Sequence, residues 1–398
     1  MPSTILQVIP NLDTGGAELS ALEINEAIIQ AGGRSIIATQ GGLLEPTARK
    51  QGAEIFNISV ASKNPLLIIK NSIELARFVK RERVSLIHAR SRAPAWSAFW
   101  AARYARLPFV TTYHGAYNEN GPIKRLYNGV MARGDVVIAN SKFTAQLIKQ
   151  RYGTPNYKIK VIYRGVDNKF SPSQISEKRK LELRSSWGVK SGQRIILQAA
   201  RLTAWKGHKT LIKAAEILYK AGQLDDVVFI LAGDSQGRIS YRQDLQKLIS
   251  HAGLKDHVRL VGHVSDIEVA FNEAYLNVIS SIEPEAFGRT SVEAQALGCP
   301  VIATRLGAPQ ETVLAEPEVS RSDRTGWLVE AGDAEELAST IKEALILSYQ
   351  QRCDIGRRAI LNVQTRFSLE KMKQQTLDVY ERLLNNNLVT SDNNVSQF

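Results

Sequence analysis

Short apolar runs alternate with stretches of helical periodicity along almost the whole chain. The first run, Ile5-Leu6-Gln7-Val8-Ile9, precedes a helical pattern from about Ala17 to Gln30. Strand-like runs follow at Ser35-Ile36-Ile37-Ala38, Val84-Ser85-Leu86-Ile87, Phe109-Val110-Thr111-Thr112 and Val136-Val137-Ile138-Ala139. A more polar stretch, about 168–191, holds Phe170-Ser171-Pro172-Ser173 and Glu177-Lys178-Arg179-Lys180 and reads as a crossing between domains. The alternation resumes with Arg194-Ile195-Ile196-Leu197-Gln198 and Val227-Val228-Phe229-Ile230-Leu231-Ala232, and helical patterns fill about 334–384. This alternation predicts βα units around parallel sheets, one sheet in each half. The polar tail beyond Asn385 has too few apolar residues to pack, so disorder is expected there.

Length fits this plan, since 398 residues suffice for two ordinary domains. No apolar run approaches the ~20 residues that span a bilayer. Met1-Pro2-Ser3-Thr4-Ile5 lacks the basic and apolar regions of a signal peptide. Two cysteines, Cys299 and Cys353, make neither a disulfide framework nor a zinc site, and a reducing cytosol is expected. Charge changes the picture more. The net +12 falls entirely in residues 1–169, where 23 Lys and Arg face 11 Asp and Glu; beyond them the signs balance. A one-sided field of this kind points to an anionic partner: nucleic acid, a membrane surface or a phosphorylated acceptor. Neither half carries Gly-x-Gly-x-x-Gly after its first strand, which argues against a dinucleotide dehydrogenase, and there is no phosphate-binding loop of the Gly-x-x-x-x-Gly-Lys type.

Candidate chemistry concentrates in Pro284-Glu285-Ala286-Phe287-Gly288-Arg289-Thr290-Ser291-Val292-Glu293. Glu285 precedes a Phe-Gly turn and Glu293 lies inside the helix that follows. Thr290 and Ser291 fall in that helix's first turn, where unpaired N–H groups favour an anion. A phosphate there, flanked by two carboxylates that accept from hydroxyls, suits a nucleotide-sugar. In Arg201-Leu202-Thr203-Ala204-Trp205-Lys206-Gly207, Arg201 follows the first strand of the second sheet, on the edge where open α/β sheets bind ligands. Arg201 and Lys206 are two cations suited to a diphosphate. Asp13-Thr14-Gly15-Gly16 joins the first strand to the first helix, and glycine there permits close backbone approach. His114 ends another strand of the first sheet. Gly233 ends a strand of the second.

The Glu-x7-Glu spacing with Phe-Gly, together with Arg-x4-Lys-Gly, resembles the retaining glycosyltransferases of family 4 over roughly residues 4–384. The resemblance implies the α/β GT-B fold, two Rossmann-like domains with parallel sheets facing a central cleft. Residues 1–175 would bind the acceptor, 190–365 the nucleotide-sugar, a helix over 366–385 would return to the first domain, and 386–398 would be the disordered tail. Catalytic roles would fall to Glu285, Arg201, Lys206 and His114, and donor binding to Gly15, Gly16, Gly233, Val264, Phe287, Gly288, Thr290 and Glu293. Leu260-Val261-Gly262-His263-Val264 resembles the loop that clasps the base; Asp266 is either a guanine reader or the N-cap of the next helix. No Asp-x-Asp occurs, and no residue is assigned to a metal; no cofactor is expected beyond the nucleotide-sugar itself. Two places depart from the family's commonest form, Arg289 after Phe-Gly and Gly307-Ala308-Pro309-Gln310-Glu311, and neither is expected to touch the paired glutamates.

Longer segments, among them His88 to Ser97, Thr112 to Asn118 and Met131 to Val136, resemble transferases of alphaproteobacterial lipopolysaccharide-core assembly, some of which use GDP-mannose. The expected activity is therefore retaining, metal-independent transfer of a hexose to a lipid-linked or lipopolysaccharide-core acceptor. It would run in the cytoplasm on the inner face of the membrane, with the basic half on anionic lipid. A UDP-sugar donor, a sugar-nucleotide epimerase or hydrolase, and a basic nucleic-acid-binding protein are the alternatives. Trp96, Trp100 and Tyr104, spaced by four and flanked by Arg103 and Arg106, either lie in a membrane interface or pack on the sheet. Leu66 to Arg83 is the other candidate membrane face.

Overall fold

A computed structural model of the protein describes residues 3–13, 15–117 and 121–392, without the side chains of 386–392. Met1, Pro2, Thr14 of the Gly-Gly loop, Asn118 and the tail from 393 lie outside the described residues. The chain forms two compact units, Met1–Gly165 with Leu369–Phe398, and Val166–Ser368.

The first unit holds β1 (Thr4–Val8), β2 (Arg34–Thr39), β3 (Glu54–Asn57), β4 (Leu86–Ala89), β5 (Phe109–Tyr113), β6 (Val136–Ala139) and β7 (Ile159–Val161). They form one sheet in the order β3-β2-β1-β4-β5-β6-β7, parallel throughout. β1, β4 and β5 are buried along their whole length, as strands covered by helices on both faces must be. Ile5, Leu86, Val110 and Ile138 pack with Met372, Val379 and Tyr380, so the C-terminal helix Leu369–Asp392 covers one face of this sheet. That helix continues beyond the end expected at 385. No Pro or Gly interrupts it, so the helical backbone runs on into the polar residues.

The second unit holds β8 (Arg194–Ala199), β9 (Val227–Ala232), β10 (Val258–Gly262), β11 (Ala274–Ile279), β12 (Val301–Thr304) and β13 (Gly326–Val329). Their order is β10-β9-β8-β11-β12-β13, again parallel. The polar stretch near 168–191 contains the helix Glu177–Ser186 of this unit, started by the Ser176 side chain at its N-cap.

Each sheet has one reversal of winding. In the first unit the chain builds outward from β1 to β3, then returns to lay β4 on β1's other side; in the second, β11 returns beside β8. Adjacent loops diverge at such a point, leaving a crevice at the strands' carboxyl ends. The sequence candidates follow β1 and β5 in one unit and β8, β9, β10 and β11 in the other.

Candidate active site

In the second unit, the loop after β8 and the loop after β11 meet. Gln198, buried in β8, donates from Nε2 to the Lys206 carbonyl at 2.7 Å and to Ser280 Oγ at 3.1 Å. Ser280 Oγ donates in turn to the Gly207 carbonyl at 3.0 Å, and Ile282 N donates to the Trp205 carbonyl at 2.8 Å. This lattice carries Lys206 to Glu285, with which it forms an ion pair. Ser281 Oγ donates to the same oxygen, Glu285 Oε1, at 2.7 Å. Glu285 Oε2 accepts from none of the described residues, so one carboxylate oxygen is tethered and the other is available.

Glu293 repeats the pattern. It lies in the helix Arg289–Ala296, and its Oε1 takes both Arg289 Nε and Nη2 at 3.0 Å. The expectation that Arg289 stands clear of the glutamates is therefore wrong: residues four apart on a helix are neighbours. The same holds for the 307–311 segment. Ala308 N donates to the Glu285 carbonyl at 2.9 Å, and Gly307 pairs with Glu285 as an isolated bridge. A Cβ on Gly307 would come within 2.5 Å of that carbonyl, so a bare backbone is needed there.

Phe287 is buried with its ring edge-on to Phe367, anchoring the turn. Gly288 takes the left-handed conformation, φ 76°, at the N-cap of the Arg289–Ala296 helix, which no side chain caps. Thr290 is half-buried in the first turn, beside N–H groups that lack helical acceptors. Arg201 is exposed at the end of β8, and its guanidinium has no partner among the described residues. Gly233, just past β9, packs so tightly that a Cβ would meet the Ala200 carbonyl at 1.9 Å. Val264 is half-buried in the loop after β10.

Of the two roles expected of Asp266, the structure bears on the cap. Asp266 occupies the N-cap position of the helix Ile267–Glu273 without a side-chain capping bond, and its carboxylate is held by Arg179 from the helix Glu177–Ser186. That guanidinium also takes Glu268 at 2.8 Å and keeps the Asp266 carboxyl below its ordinary range.

In the first unit, Gly15 is the N-cap of the helix Gly16–Gln30. Arg164, at the end of the unit's first segment, donates to the Gly16 carbonyl and places its Nη2 2.7 Å from His114 Nδ1. His88 and Arg90 lie buried nearby; Arg90 Nε donates to Gln7 Oε1 at 2.5 Å. Burial, with Arg164 and Arg90 adjacent, pushes the His114 pKa well below its ordinary value.

A separate cavity of about 580 Å³ in this unit is lined by Lys63, Ser91, Arg92, Lys124, Tyr127 and Asn128 among others, with no carboxylate among the described residues of its wall. Arg92 is held there by Asn128 Oδ1 at 2.9 Å and stacks on the Tyr117 ring at 4.2 Å. The aromatic stripe divides. Trp96 packs inward, donating to the Tyr127 carbonyl at 3.1 Å, whereas Trp100 and Tyr104 are exposed. Leu66, Ile69 and Ile73 of the helix Pro65–Arg81, and Ile123 and Leu126 of Pro122–Asn128, are exposed as well. Among the described residues no helix is long and apolar enough to cross a membrane.

Two parallel α/β units, with paired glutamates and cations at the strand ends of the second, are the architecture of a GT-B glycosyltransferase. Comparison with known proteins agrees. Residues 14–170 match the Glycosyltransferase Family 4 model and 179–361 match glycosyl transferases group 1. A glycosyltransferase from Rickettsia africae ESF-5 is 34% identical, with a TM-score of 0.87 over 97% of this chain and 99% of that one. Anabaena Alr3699/HepE, solved with UDP and glucose, is 25% identical, with a TM-score of 0.80 over 96% of this chain and all of that one. The D-inositol 3-phosphate glycosyltransferase of Arthrobacter sp. (strain FB24) is 29% identical over 79% of this chain and 75% of its own length. In three other enzymes of that name the chain spans 59%, 51% and 55% of the relative's length. The chain belongs to the family 4, group 1 glycosyltransferases.

Proposed function

We propose that the protein is a retaining, metal-independent hexosyltransferase, taking its sugar from a nucleoside diphosphate donor and giving it to a lipid-linked or lipopolysaccharide-core acceptor. The observation that carries this reading is the Lys206–Glu285–Ser281 contact in the loops after β8 and β11, with Arg201 exposed at the end of β8. Glu285, tethered through Oε1, orients the sugar by accepting from a hydroxyl on Oε2, and Glu293 holds the ribose in the same manner. Arg201, Lys206 and the N–H groups at Thr290 neutralise the departing diphosphate, the role a metal plays elsewhere. Gly233 lets backbone approach the phosphates, Phe287 and Gly288 shape the turn, and Val264 borders the base. Retention follows from front-face substitution, in which the leaving phosphate helps remove the acceptor proton.

The donor we propose is GDP-mannose, on the strength of the subgroup segments. A uridine nucleotide is the second reading, favoured by the engagement of Asp266 with Arg179 and by the likeness to HepE. Thermal unfolding with GDP, UDP, ADP, GDP-mannose, UDP-glucose and UDP-N-acetylglucosamine in EDTA separates them. A ligand at a hundred times its Kd stabilises the native state by about 2.7 kcal/mol. We expect a midpoint rise with guanosine nucleotides that added magnesium or manganese does not enlarge. A rise with uridine nucleotides alone replaces the donor, and no rise with any of them removes the proposal.

The acceptor's anionic group fits the cavity of Lys63, Arg92 and Lys124, and the exposed apolar residues of Pro65–Arg81 and Pro122–Asn128, interspersed with Lys70, Arg77, Lys124 and Arg125, suit the inner membrane's anionic surface. The protein should sediment with phosphatidylglycerol vesicles but not with phosphatidylcholine, and roughly tenfold less after Ile69→Asp with Lys70→Glu. Equal binding to both lipids would refute an electrostatic contact.

A further inference from the structure

The helix Arg289–Ala296 opens on an arginine, which is the wrong charge for that end. A helix N-terminus carries a partial positive charge and favours acidic residues, yet this first turn holds no acid. Glu293, one turn on, offsets Arg289, since residues four apart share a face and a side chain leans back over the preceding turn. The form of the pair is informative. A guanidinium and a carboxylate commonly make two parallel bonds, one to each oxygen. Here Nε and Nη2 of Arg289 both reach Glu293 Oε1, each at 3.0 Å, and Glu293 Oε2 accepts from none of the described residues.

The opposite face of the helix is locked. Gln295 Nε2 donates to Ser291 Oγ at 3.1 Å and to the Thr312 carbonyl at 2.9 Å, and Asn362 Nδ2 donates to Gln295 Oε1 at 3.2 Å. Ser291, Gln295 and Thr312 are fully buried, so the helix cannot turn about its axis without breaking this network. What remains adjustable is the Glu293 carboxylate itself. Its side chain is 10% exposed and that of Arg289 26%. A carboxylate with so little water around it keeps one orientation only while a donor holds it. Arg289 is that donor, and it decides which oxygen of Glu293 a ligand meets.

We infer that Arg289 is a positioning residue: by tying Glu293 through Oε1 it presents Oε2 to the ribose hydroxyls of the donor, so that the protein prefers a ribonucleotide to its deoxy form. This rests on the reading above that Glu293 holds the ribose, and adds the residue that orients the carboxylate. It differs from a plain electrostatic role. A cation acting only by its charge would attract the diphosphate whatever hydroxyls the nucleoside carries.

Calorimetric titration of the full-length protein with GDP and 2′,3′-dideoxy-GDP, and with UDP and 2′,3′-dideoxy-UDP, separates the two roles. For the base that binds, removing the hydroxyls should weaken binding to the unaltered protein about thirtyfold. Arg289→Met should bind the ribonucleotide about tenfold more weakly, and the dideoxy form as tightly as the unaltered protein does. Arg289→Lys, which keeps a donor, should recover part of the difference. In turnover, Arg289→Met should raise KM for the nucleotide-sugar about tenfold with kcat nearly unchanged. On a Glu293→Gln background the same substitution should change nothing further. Equal losses for the ribo and dideoxy forms would assign Arg289 to the diphosphate, and no loss for either would leave it a passive ion pair; each overturns the positioning role. Should Arg289→Met fail to fold, the ratio of ribo to dideoxy affinity in Arg289→Lys carries the same test. If the unaltered protein binds none of the four nucleotides, the donor reading falls and takes this inference with it. If it binds ribo and dideoxy forms alike, the ribose contact of Glu293 falls. Discrimination that Arg289→Met leaves intact removes the role of Arg289 alone.

Discussion

Glu285→Gln should reduce sugar transfer by about three orders of magnitude while the protein stays folded. Glutamine matches glutamate in size and still accepts from Ser281, so the local packing survives. What it lacks is the charge that pairs with Lys206 and the strength of a carboxylate acceptor at Oε2. Glu285 and Lys206 side chains are only 10% and 16% exposed, so water screens the pair weakly. Removing one member leaves the other uncompensated in a poorly hydrated place, which costs more than losing a surface ion pair. Lys206 then turns toward whatever anion is available. Nucleoside diphosphate should therefore still bind, and bind no more weakly than to the unaltered protein, while transfer collapses. Midpoint shifts with the nucleotide and release of nucleoside diphosphate during turnover measure the two effects separately. Loss of binding together with activity would mean that Glu285 shapes the pocket and not the sugar; full activity would dismiss it from the reaction.

The two-sheet plan was legible because parallel sheets covered on both faces produce continuous apolar strands, and helical periodicity between them leaves few other topologies. Strand ends were less so. The run read at Val84 to Ile87 forms strand only from Leu86 to Ala89, since Ser85 N is spent on the Thr4 carbonyl at the edge of the ladder. Within the site, Lys206 and Glu285 are 79 positions apart, and nothing in their own neighbourhoods announces a contact; only the resemblance placed them at one donor, Lys206 on the diphosphate and Glu285 on the sugar. Gln198, Ser280 and Ser281, which hold the two loops together, were missed. Gln198 carried a signal, as a polar residue at the end of an apolar strand and a few positions before Arg201. The Arg289–Glu293 pair was readable from helical spacing alone, but Arg289 was weighed against the family pattern and not against its own neighbours. The contact of Asp266 was hidden for the opposite reason: its partner Arg179 is 87 residues away, in a segment read as a linker.

Gly207→Ala should be the most damaging small substitution in the second unit, lowering stability by about 2–4 kcal/mol and removing transfer activity with it. Two penalties combine. Gly207 has φ 70°, which a side chain adopts only at a cost, and its Cβ would stand 1.7 Å from the Ser280 carbonyl oxygen and 2.6 Å from that carbonyl carbon. Both atoms are backbone, so neither moves aside alone; the loop after β8 must part from the end of β11. That separation breaks the Ser280 bond to the Gly207 carbonyl and strains the Gln198 bond to Lys206. Lys206 would then be carried away from Glu285. Gly222→Ala is the matched control: its φ is 67°, but nothing lies within 4 Å of the added carbon. It carries the conformational penalty alone, about 1 kcal/mol, and should leave transfer intact. Thermal midpoints of the two variants, measured with activity below the lower midpoint, isolate the contact. Similar midpoints would show that the loops yield easily. A stable but inactive Gly207→Ala would show that the close approach serves the placement of Lys206 more than the fold.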